Sequence, residues 1–308
     1  MGPDCCCLIL AAGKGTRLLP LTRFVPKPLF PLLDIPALEH LVKKIKNSGI
    51  CQIAINCHHL TREIEKWQKN CQVAHSTTLL YEEVLLDTGG AIKNFFETFG
   101  FSHPLLVYNS DIVSNVSISK FYEIFLRRGC DALLCLHDMD RFNKVKLNGP
   151  KIQSLSASGK DCLAYTGISI FRPGCFMNAP DGPFPLVPYV EMLIKNGLSI
   201  EGCLAEEVVE GGSDNDWSWY DIGTPAEYLK ANFHLLERIG KKSLINSAEV
   251  DGEVEIESNA IIGTGARIRG RGIIENVVIW PGTEMTIDGT LKNAIITPFA
   301  RISCTENR

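Results

Sequence analysis

The chain has 308 residues, of which 45% are hydrophobic and 21% charged, and its net charge is −4 at pH 7. This balance is typical of a globular protein and argues against a nucleic-acid-binding protein, which usually carries a basic excess. No apolar run approaches the ~18 residues that a membrane-spanning helix needs, and the N-terminal segment lacks the basic start of a signal peptide. The sequence therefore predicts a cytoplasmic protein without membrane insertion.

Short apolar runs alternate with helical patterns along the N-terminal half of the chain. Residues 5–11 form a continuous apolar run, which is typical of a strand buried on both faces of a sheet. Similar runs follow at 52–56, 78–81, 105–108 and 132–136, and helices are predicted at 36–47, 61–70, 90–99 and 117–128. This alternation predicts an α/β fold with a Rossmann-like, mixed but mainly parallel sheet.

In the second half of the chain, strands and helices no longer alternate regularly. The turn Asn148-Gly149-Pro150 predicts a hairpin between 144–147 and 151–155, and a strand at 163–171 follows. Further helices are predicted at 187–196 and 225–239.

From residue 241 onward a new pattern begins. Aliphatic residues recur every six positions, at Val250, Ile256, Ile262, Ile268 and Ile274. A period of six fits neither a helix nor a regular strand, and it predicts a short left-handed parallel β-helix. A set of irregular β-hairpins is the alternative interpretation.

A glycine-containing turn, Gly13-Lys14-Gly15-Thr16-Arg17, follows the first predicted strand. Glycines in this position let backbone N–H groups approach phosphates. The turn lacks the third glycine of a dinucleotide-binding fingerprint, where Leu18 stands, and it does not match a P-loop. Five prolines between residues 20 and 36 predict a rigid, extended loop that would hold Arg17 and Lys27 against a polyphosphate. The alternative is that both cations are solvated on the surface.

The cysteine pattern raises the question of a metal site. Twelve cysteines are present, and Cys57-His58-His59 lies between Cys51 and Cys71. The spacing fits no known zinc-ligand pattern, so packing as small hydrophobic residues is the preferred interpretation.

The segment from Leu10 to Leu18, followed by Pro20-Leu21-Thr22 and Pro26-Lys27-Pro28, resembles the N-terminal signature of the sugar-1-phosphate nucleotidyltransferase (NDP-sugar pyrophosphorylase) family. Further matches occur in the family's order, at 86–91 (LDTGGA), 108–111 (YNSD), 166–168 (TGI) and 219–225 (WYDIGTP). The resemblance implies a GT-A-like nucleotidyltransferase catalytic domain at 1–240 and a β-helix tail at 241–308.

The resemblance also implies a role for each matched residue. Arg17 and Lys27 would be the catalytic cations, acting on the triphosphate and the sugar phosphate. The nucleotide would contact Ala12, Gly13, Gly15, Thr16, Asp87, Thr88 and Gly89. The sugar would contact Asn109, Thr166 and Gly167. Asp111 and Asp221 would hold Mg²⁺; from the residues alone, either aspartate could equally be a cap or turn residue.

The implied reaction joins an NTP to a sugar-1-phosphate and releases pyrophosphate. Many relatives carry Glu-Lys-Pro before the sugar-contacting strand, whereas this chain has Ser158-Gly159-Lys160-Asp161-Cys162, which leaves the role of Lys160 open. The short sugar region resembles the subgroup acting on mannose-, heptose- or N-acetylmuramate-1-phosphate, with GTP or UTP as donor.

Two other functions compete with this prediction. A catalytically silent regulatory subunit of a nucleotidyltransferase complex would share the fold, although such subunits are expected to lose Arg17, Lys27, Asp111 or Asp221. Acyltransferase activity in the tail would call for a histidine, and none occurs from residue 241 onward. The tail is instead predicted to support homo-oligomerisation.

Overall fold

The computed structural model describes residues 4–210 and 217–304. The helices are α1 (Ala37–Asn47), α2 (Thr61–Asn70), α3 (Asp87–Phe99), α4 (Ile118–Arg128), α5 (Leu186–Lys195) and α6 (Pro225–Arg238). The strands are β1 (Cys6–Leu10), β2 (Pro31–Leu32), β3 (Ile35–Pro36), β4 (Ile53–Cys57), β5 (Thr77–Tyr81), β6 (Leu105–Asn109), β7 (Ile112–Ser114), β8 (Ala132–His137), β9 (Val145–Asn148), β10 (Lys151–Ser154), β11 (Cys162–Phe171), β12 (Ile200–Leu204), β13 (Trp219–Asp221), β14 (Ser243–Ile245), β15 (Glu249–Val250), β16 (Glu253–Ile256), β17 (Ala260–Ile262), β18 (Arg267–Ile279), β19 (Glu284–Ile296) and β20 (Arg301–Ser303).

The chain forms two compact units. The first, here called the sheet unit, consists of Met1–Gly13 and Leu41–Trp219. The second, here called the coil unit, consists of Lys14–His40 and Tyr220–Arg308. The domain boundary predicted between residues 240 and 241 stays a prediction.

A single nine-stranded sheet organises the sheet unit, in the order β5-β4-β1-β6-β11-β8-β12-β10-β9. Strands β5, β4, β1 and β6 are parallel, as the apolar runs predicted. Strand β11, however, runs antiparallel to both of its neighbours, β6 and β8. The sheet is therefore mixed rather than mainly parallel: β8 and β12 also pair in parallel, whereas the pairs made by β9, β10 and β11 are antiparallel.

The core of the sheet unit explains why its central strands are so apolar. Leu8, Val107, Leu134 and Phe171 are all buried in one cluster, which also contains Phe95 and Phe96 of α3. Burying one such side chain contributes roughly 1.5–3 kcal/mol to the stability of the fold. Helix α3 is therefore held on the sheet mainly by its apolar face.

Strand β12 is the element of this sheet that the sequence did not predict. It contains Glu201 and Gly202, which disguise its strand character. Gly202 is required there because a Cβ would lie 3.1 Å from Leu147 and closer still to Leu136.

In the C-terminal part of the coil unit, strands β14 to β19 pair in parallel, one coil beside the next, whereas the last strand, β20, pairs antiparallel with β19. Residues of β18 pair with residues of β19 that lie 17 positions later, as Arg267 does with Glu284. The buried aliphatics Ile268, Ile274 and Ile279 of β18 face the interior of this stack. The spacing between these inward-facing residues is six positions from Ile268 to Ile274 but five from Ile274 to Ile279. This change explains why the six-residue period of the sequence breaks near residue 275. The left-handed parallel β-helix itself stays a prediction.

The proline-rich segment differs from its prediction. Instead of an extended loop, residues 16–29 form three short 3-10 turns, at Thr16–Leu18, Leu21–Arg23 and Lys27–Leu29, before the β2–β3 hairpin. Proline fixes φ near the value that such turns need, which accounts for the compact path of the segment, and its rigidity stays a prediction. Among the described residues, no helix combines the length and apolarity needed to cross a membrane.

Candidate functional site

Two polar side chains fix the backbone where β1 ends. The Leu10 carbonyl accepts hydrogen bonds from the N–H of Ser110 (3.0 Å) and from its Oγ (2.6 Å). The next N–H, that of Ala11, donates to Asn56 Oδ1 at 2.6 Å. Ala12 is buried, whereas Gly13 is exposed and has no atom within 4 Å of the position that a Cβ would take. The predicted nucleotide turn therefore starts from a fixed backbone and leaves space for a ligand at Gly13.

A chain of hydrogen bonds continues from Asn56 to the start of α3. Asn56 Nδ2 donates to Glu82 Oε1 at 2.7 Å, and Glu82 Oε2 accepts from the Leu86 N–H at 2.9 Å. Asn56 is 4% exposed and Glu82 6% exposed. We call the hydrogen bonds from Ala11 through Asn56 and Glu82 to Leu86 the Asn56–Glu82 relay.

The three residues predicted to border the base form the first turn of α3. Asp87 has a left-handed backbone, with φ of 59°, and its Oδ1 accepts from the Thr88 N–H at 2.6 Å. Gly89 donates its N–H to the Phe184 carbonyl, and a Cβ at this position would overlap the Phe184 ring. Packing against Phe184 therefore requires glycine at position 89, and the predicted contact with the base stays a prediction.

The predicted sugar contacts cluster on β6 and β11. Gly167 has a left-handed φ of 83°, and a Cβ there would lie 2.7 Å from Asn109 Nδ2. Asn109 and Gly167 are thus in direct contact, and the contact of both residues with the sugar stays a prediction. The side chain of Thr166 is buried and donates to the Cys135 carbonyl at 2.9 Å, while its own carbonyl accepts from Trp219 Nε1 at 3.0 Å.

Asp111 lies at the same edge of the sheet as Gly13. It is half-buried and follows Ser110, whose bonds to Leu10 hold the ends of β6 and β1 together. Ligands of open α/β sheets bind outside the carboxyl ends of the strands, so this placement suits a ligand-facing carboxylate.

In the coil unit, the glycine turn is held by its own contacts. Gly15 has a φ of 61°, and a Cβ at this position would lie 2.8 Å from Thr22 Cγ2. Thr22 Oγ1 donates to the Gly15 carbonyl at 3.1 Å. Thr16 and Arg17, which follow in the first 3-10 turn, are exposed.

The two predicted catalytic cations share one carboxylate. Asp221 Oδ1 lies 3.4 Å from Lys27 Nζ, and its Oδ2 lies 3.5 Å from an Arg17 terminal nitrogen. The side chains of Lys27 and Asp221 are 10% and 12% exposed, whereas that of Arg17 is 61% exposed. The group therefore combines two cationic side chains with one carboxylate. Arg17, Lys27 and Asp221, which are far apart in the sequence, are thus brought together as one group.

The candidate ligands for a divalent cation are two aspartate carboxylates, one in each unit. Asp111 belongs to the sheet unit and Asp221 to the coil unit. Mg²⁺ is usually held by one or two carboxylates together with substrate phosphates and water, so donors of this kind fit Mg²⁺. That the two aspartates hold the same ion stays a prediction.

The cysteine and histidine pattern gives no support for a zinc site. Within residues 4–210 and 217–304, no three His, Cys, Asp or Glu side chains are placed to hold a metal ion. Burial raises the pKa of the Cys57 thiol to about 12, which keeps it protonated near neutral pH. Lys160 lies exposed between β10 and β11, and its role stays a prediction.

Three residues of this region had no predicted role. Asn56 and Glu82 form the relay, and Gly223 leaves the space that Arg17 occupies beside Asp221. The first two carried a weak signal, because a polar residue at the end of an apolar strand is unusual. Gly223 could have been suspected from its place two residues after Asp221.

The chain is similar to several known proteins. The sequence profile of the nucleotidyl transferase family matches residues 6–138. A bifunctional protein GlmU from Methanococcus maripaludis is 29% identical over 281 residues, and the match covers 85% of this chain but only 61% of that protein. A putative mannose-1-phosphate guanyltransferase from Sulfolobus acidocaldarius is 24% identical over 85% of this chain and 74% of its own length.

Solved structures show the same fold. HddC from Yersinia pseudotuberculosis, complexed with GMP-PN, superposes with a TM-score of 0.61 at 22% identity, covering 74% of this chain and 98% of that one. The profile match includes the glycine turn, Arg17, Lys27 and Asp111. The chain therefore contains a nucleotidyl transferase domain, and it is similar to proteins that are named as sugar-1-phosphate nucleotidyltransferases.

Proposed function

We propose that this chain transfers a nucleoside monophosphate from an NTP to a sugar-1-phosphate, giving an NDP-sugar and pyrophosphate. The observation that carries this proposal is the cluster of Arg17, Lys27 and Asp221. It brings two cationic side chains together, one of them in the glycine turn, in a chain that contains a nucleotidyl transferase domain. Cations next to backbone N–H groups are suited to bind a polyphosphate.

The proposed reaction is a displacement at the α-phosphorus of the NTP. An oxygen of the sugar phosphate forms a bond to that phosphorus, and the bond from phosphorus to the oxygen shared with the β-phosphate breaks. The electron pair leaves on pyrophosphate. The sugar phosphate is already deprotonated at neutral pH, so no general base is needed, and catalysis depends on positioning and on neutralising charge.

The cations would carry most of this charge neutralisation. Arg17 is exposed, so its guanidinium would bind the β- and γ-phosphates and stabilise the leaving pyrophosphate. Lys27 is largely buried and would act as a fixed positive charge near the α-phosphate. In a site with little water, a fixed charge stabilises a developing charge more strongly than it would in bulk solvent.

The remaining proposed contacts follow the family pattern. The backbone of Ala12, Gly13, Gly15 and Thr16 would bind the nucleotide phosphates, and the turn at Asp87, Thr88 and Gly89 would border the base. Asn109, Thr166 and Gly167 would contact the sugar; for Thr166 this contact would come from the backbone, because its hydroxyl bonds to Cys135. Asp111 and Asp221 would hold Mg²⁺, which when bound would neutralise phosphate charge.

The substrate pair we favour is mannose-, heptose- or N-acetylmuramate-1-phosphate with GTP or UTP. The short sugar region supports this choice, and one relative is named as a mannose-1-phosphate guanyltransferase. We further propose that the stacked coils are left-handed and support a homo-oligomer, and that the protein is cytoplasmic. The parallel pairing of β18 with β19 supports a β-helix.

The test is a pyrophosphate-release screen of four NTPs against sugar-1-phosphates in the presence of Mg²⁺. We expect turnover with at least one pair that contains GTP or UTP. A folded protein that releases no pyrophosphate with any pair would favour the silent regulatory subunit.

The metal role of Asp111 can be tested by Asp111→Asn. We expect a loss of kcat of at least roughly a hundredfold, since metal-mediated charge stabilisation is worth several kcal/mol. The control is Asp4→Asn, which removes an exposed carboxylate outside the proposed contacts and should leave the rate unchanged. A near-normal rate for Asp111→Asn would remove this residue from the site.

A further inference from the structure

We propose that the Asn56–Glu82 relay positions the nucleotide-binding backbone, and that Asn56 and Glu82 are therefore positioning residues for the NTP. The inference rests on the proposed function. The relay connects the backbone just before Gly13 to the backbone just before Asp87. These are the two segments of the sheet unit that we expect to contact the nucleotide.

The strand ladder alone does not hold these segments. The pairing of β1 with β4 ends at Leu10 opposite Asn56. Ala11 lies one residue beyond the ladder, and its N–H is held by the Asn56 side chain. The Asn56 amide thus fixes the backbone one residue beyond the end of the strand pairing.

Glu82 is similarly committed to backbone placement. One carboxylate oxygen accepts from Asn56 and the other from the Leu86 N–H, directly before α3 begins. Buried polar groups that lose a partner cost about 1–3 kcal/mol, so the relay resists rearrangement. A shift of the α3 N-terminus relative to Gly13 would break at least one of these bonds.

The relay has a fixed direction of donation, and this makes it testable. Ala11 donates to Asn56, Asn56 donates to Glu82, and Leu86 donates to Glu82. In Glu82→Gln, the new NH₂ group faces either the Asn56 amide or the Leu86 N–H, so two donors meet. In Asn56→Asp, two carboxylates meet. The double variant Asn56→Asp/Glu82→Gln reverses the middle hydrogen bond and restores every partner.

The kinetic experiment measures both Michaelis constants and kcat. We expect each single variant to raise KM for the NTP by about tenfold or more, because a hydrogen bond to a charged group is worth about 1.5–3 kcal/mol. KM for the sugar phosphate should change far less, and the double variant should recover most of the loss. Glu83→Gln is the matched control, because Glu83 is exposed next to Glu82, and it should behave as wild type.

Hydrogen–deuterium exchange of the unliganded protein provides a readout that does not need turnover. The segment containing Ala11 should exchange faster in Glu82→Gln than in wild type, and protection should return in the double variant. This result would support the relay even if no substrate pair were turned over. If Glu82→Gln does not fold, Glu82→Asp, which keeps the charge and shortens the reach, takes its place.

Three outcomes would overturn the inference. One is an unchanged KM for the NTP in both single variants. Another is an equal rise of both Michaelis constants, which would indicate a general structural role. The third is a double variant that is no better than the single variants in kinetics and exchange.

Discussion

At the scale of single residues, Gly223 shows how a missing side chain shapes a charged cluster. A Cβ at this position would overlap the Arg17 guanidinium and would lie 2.7 Å from Asp221 Oδ1. The requirement for glycine is therefore one of space. Because the obstructed group is the end of a long side chain, it can move aside without disturbing the fold.

Gly223→Ala should therefore lower activity more than stability. We expect kcat to fall by roughly tenfold to a hundredfold, since a displaced cation stabilises the leaving pyrophosphate less well, and the unfolding free energy to change by less than about 1 kcal/mol. Steady-state kinetics and urea unfolding measure the two effects. Gly174→Ala, at an exposed glycine with open space around it, is the control. A wild-type kcat in Gly223→Ala would show that Arg17 does not need its place beside Asp221.

At the scale of elements, the stacked coils depend on close backbone contact at their corners. Asn259 and Asn276 both have left-handed backbones, lie 17 positions apart, and are joined by a side-chain hydrogen bond of 2.9 Å. Gly270 packs so closely on the next coil that a Cβ would overlap the Ile287 carbonyl. That carbonyl belongs to a paired strand and cannot move aside easily.

Gly270→Ala should destabilise the coils by about 2 kcal/mol or more, because two backbones would have to separate. The matched control is Gly282→Ala. Gly282 also has a left-handed φ, of 67°, but open space around it, so only the backbone strain of about 1–2 kcal/mol is expected. Urea unfolding followed by circular dichroism compares the two variants. Equal losses would mean that strain, rather than contact between the coils, decides stability here.

At the scale of the whole molecule, one buried histidine links folding to pH. His137 is 2% exposed, lies against Trp217 and Trp219, and its Nε2 has no hydrogen-bond partner among the described residues. Burial lowers the pKa of His137 from 6.5 to about 4. Between these values the unfolded chain binds a proton that the folded chain does not bind.

The unfolding free energy should therefore fall as the pH decreases from 6.5 towards 4, with a contribution from His137 of up to about 1.4 kcal/mol per pH unit. Above pH 6.5 this contribution is constant. Urea unfolding at several pH values should show a shallower dependence in His137→Gln than in wild type. An identical dependence in wild type and His137→Gln would show that His137 is protonated equally in both states.

The sequence alone was sufficient to predict the local features, namely the strands, the helices and the glycine turn. Apolar runs and helical spacing predicted the central strands and the helices of the sheet unit closely, since burial on two faces leaves a continuous apolar run. The helix predicted at residues 61–70 is α2 itself. The family signature around Gly13 and Gly15 also needed no structure.

Contacts between distant parts of the chain were decided by the tertiary structure. The sequence could not show that Asp221 pairs with Arg17, 204 positions away, or that Asn56 bonds to Glu82, 26 positions away. It also could not distinguish a glycine needed for packing, such as Gly89 against Phe184, from one needed for a ligand. The physical reason is the same in each case. Periodicity reports which face of an element is buried, whereas the partner of a polar group and the space beside a Cα are set by residues that only folding brings close.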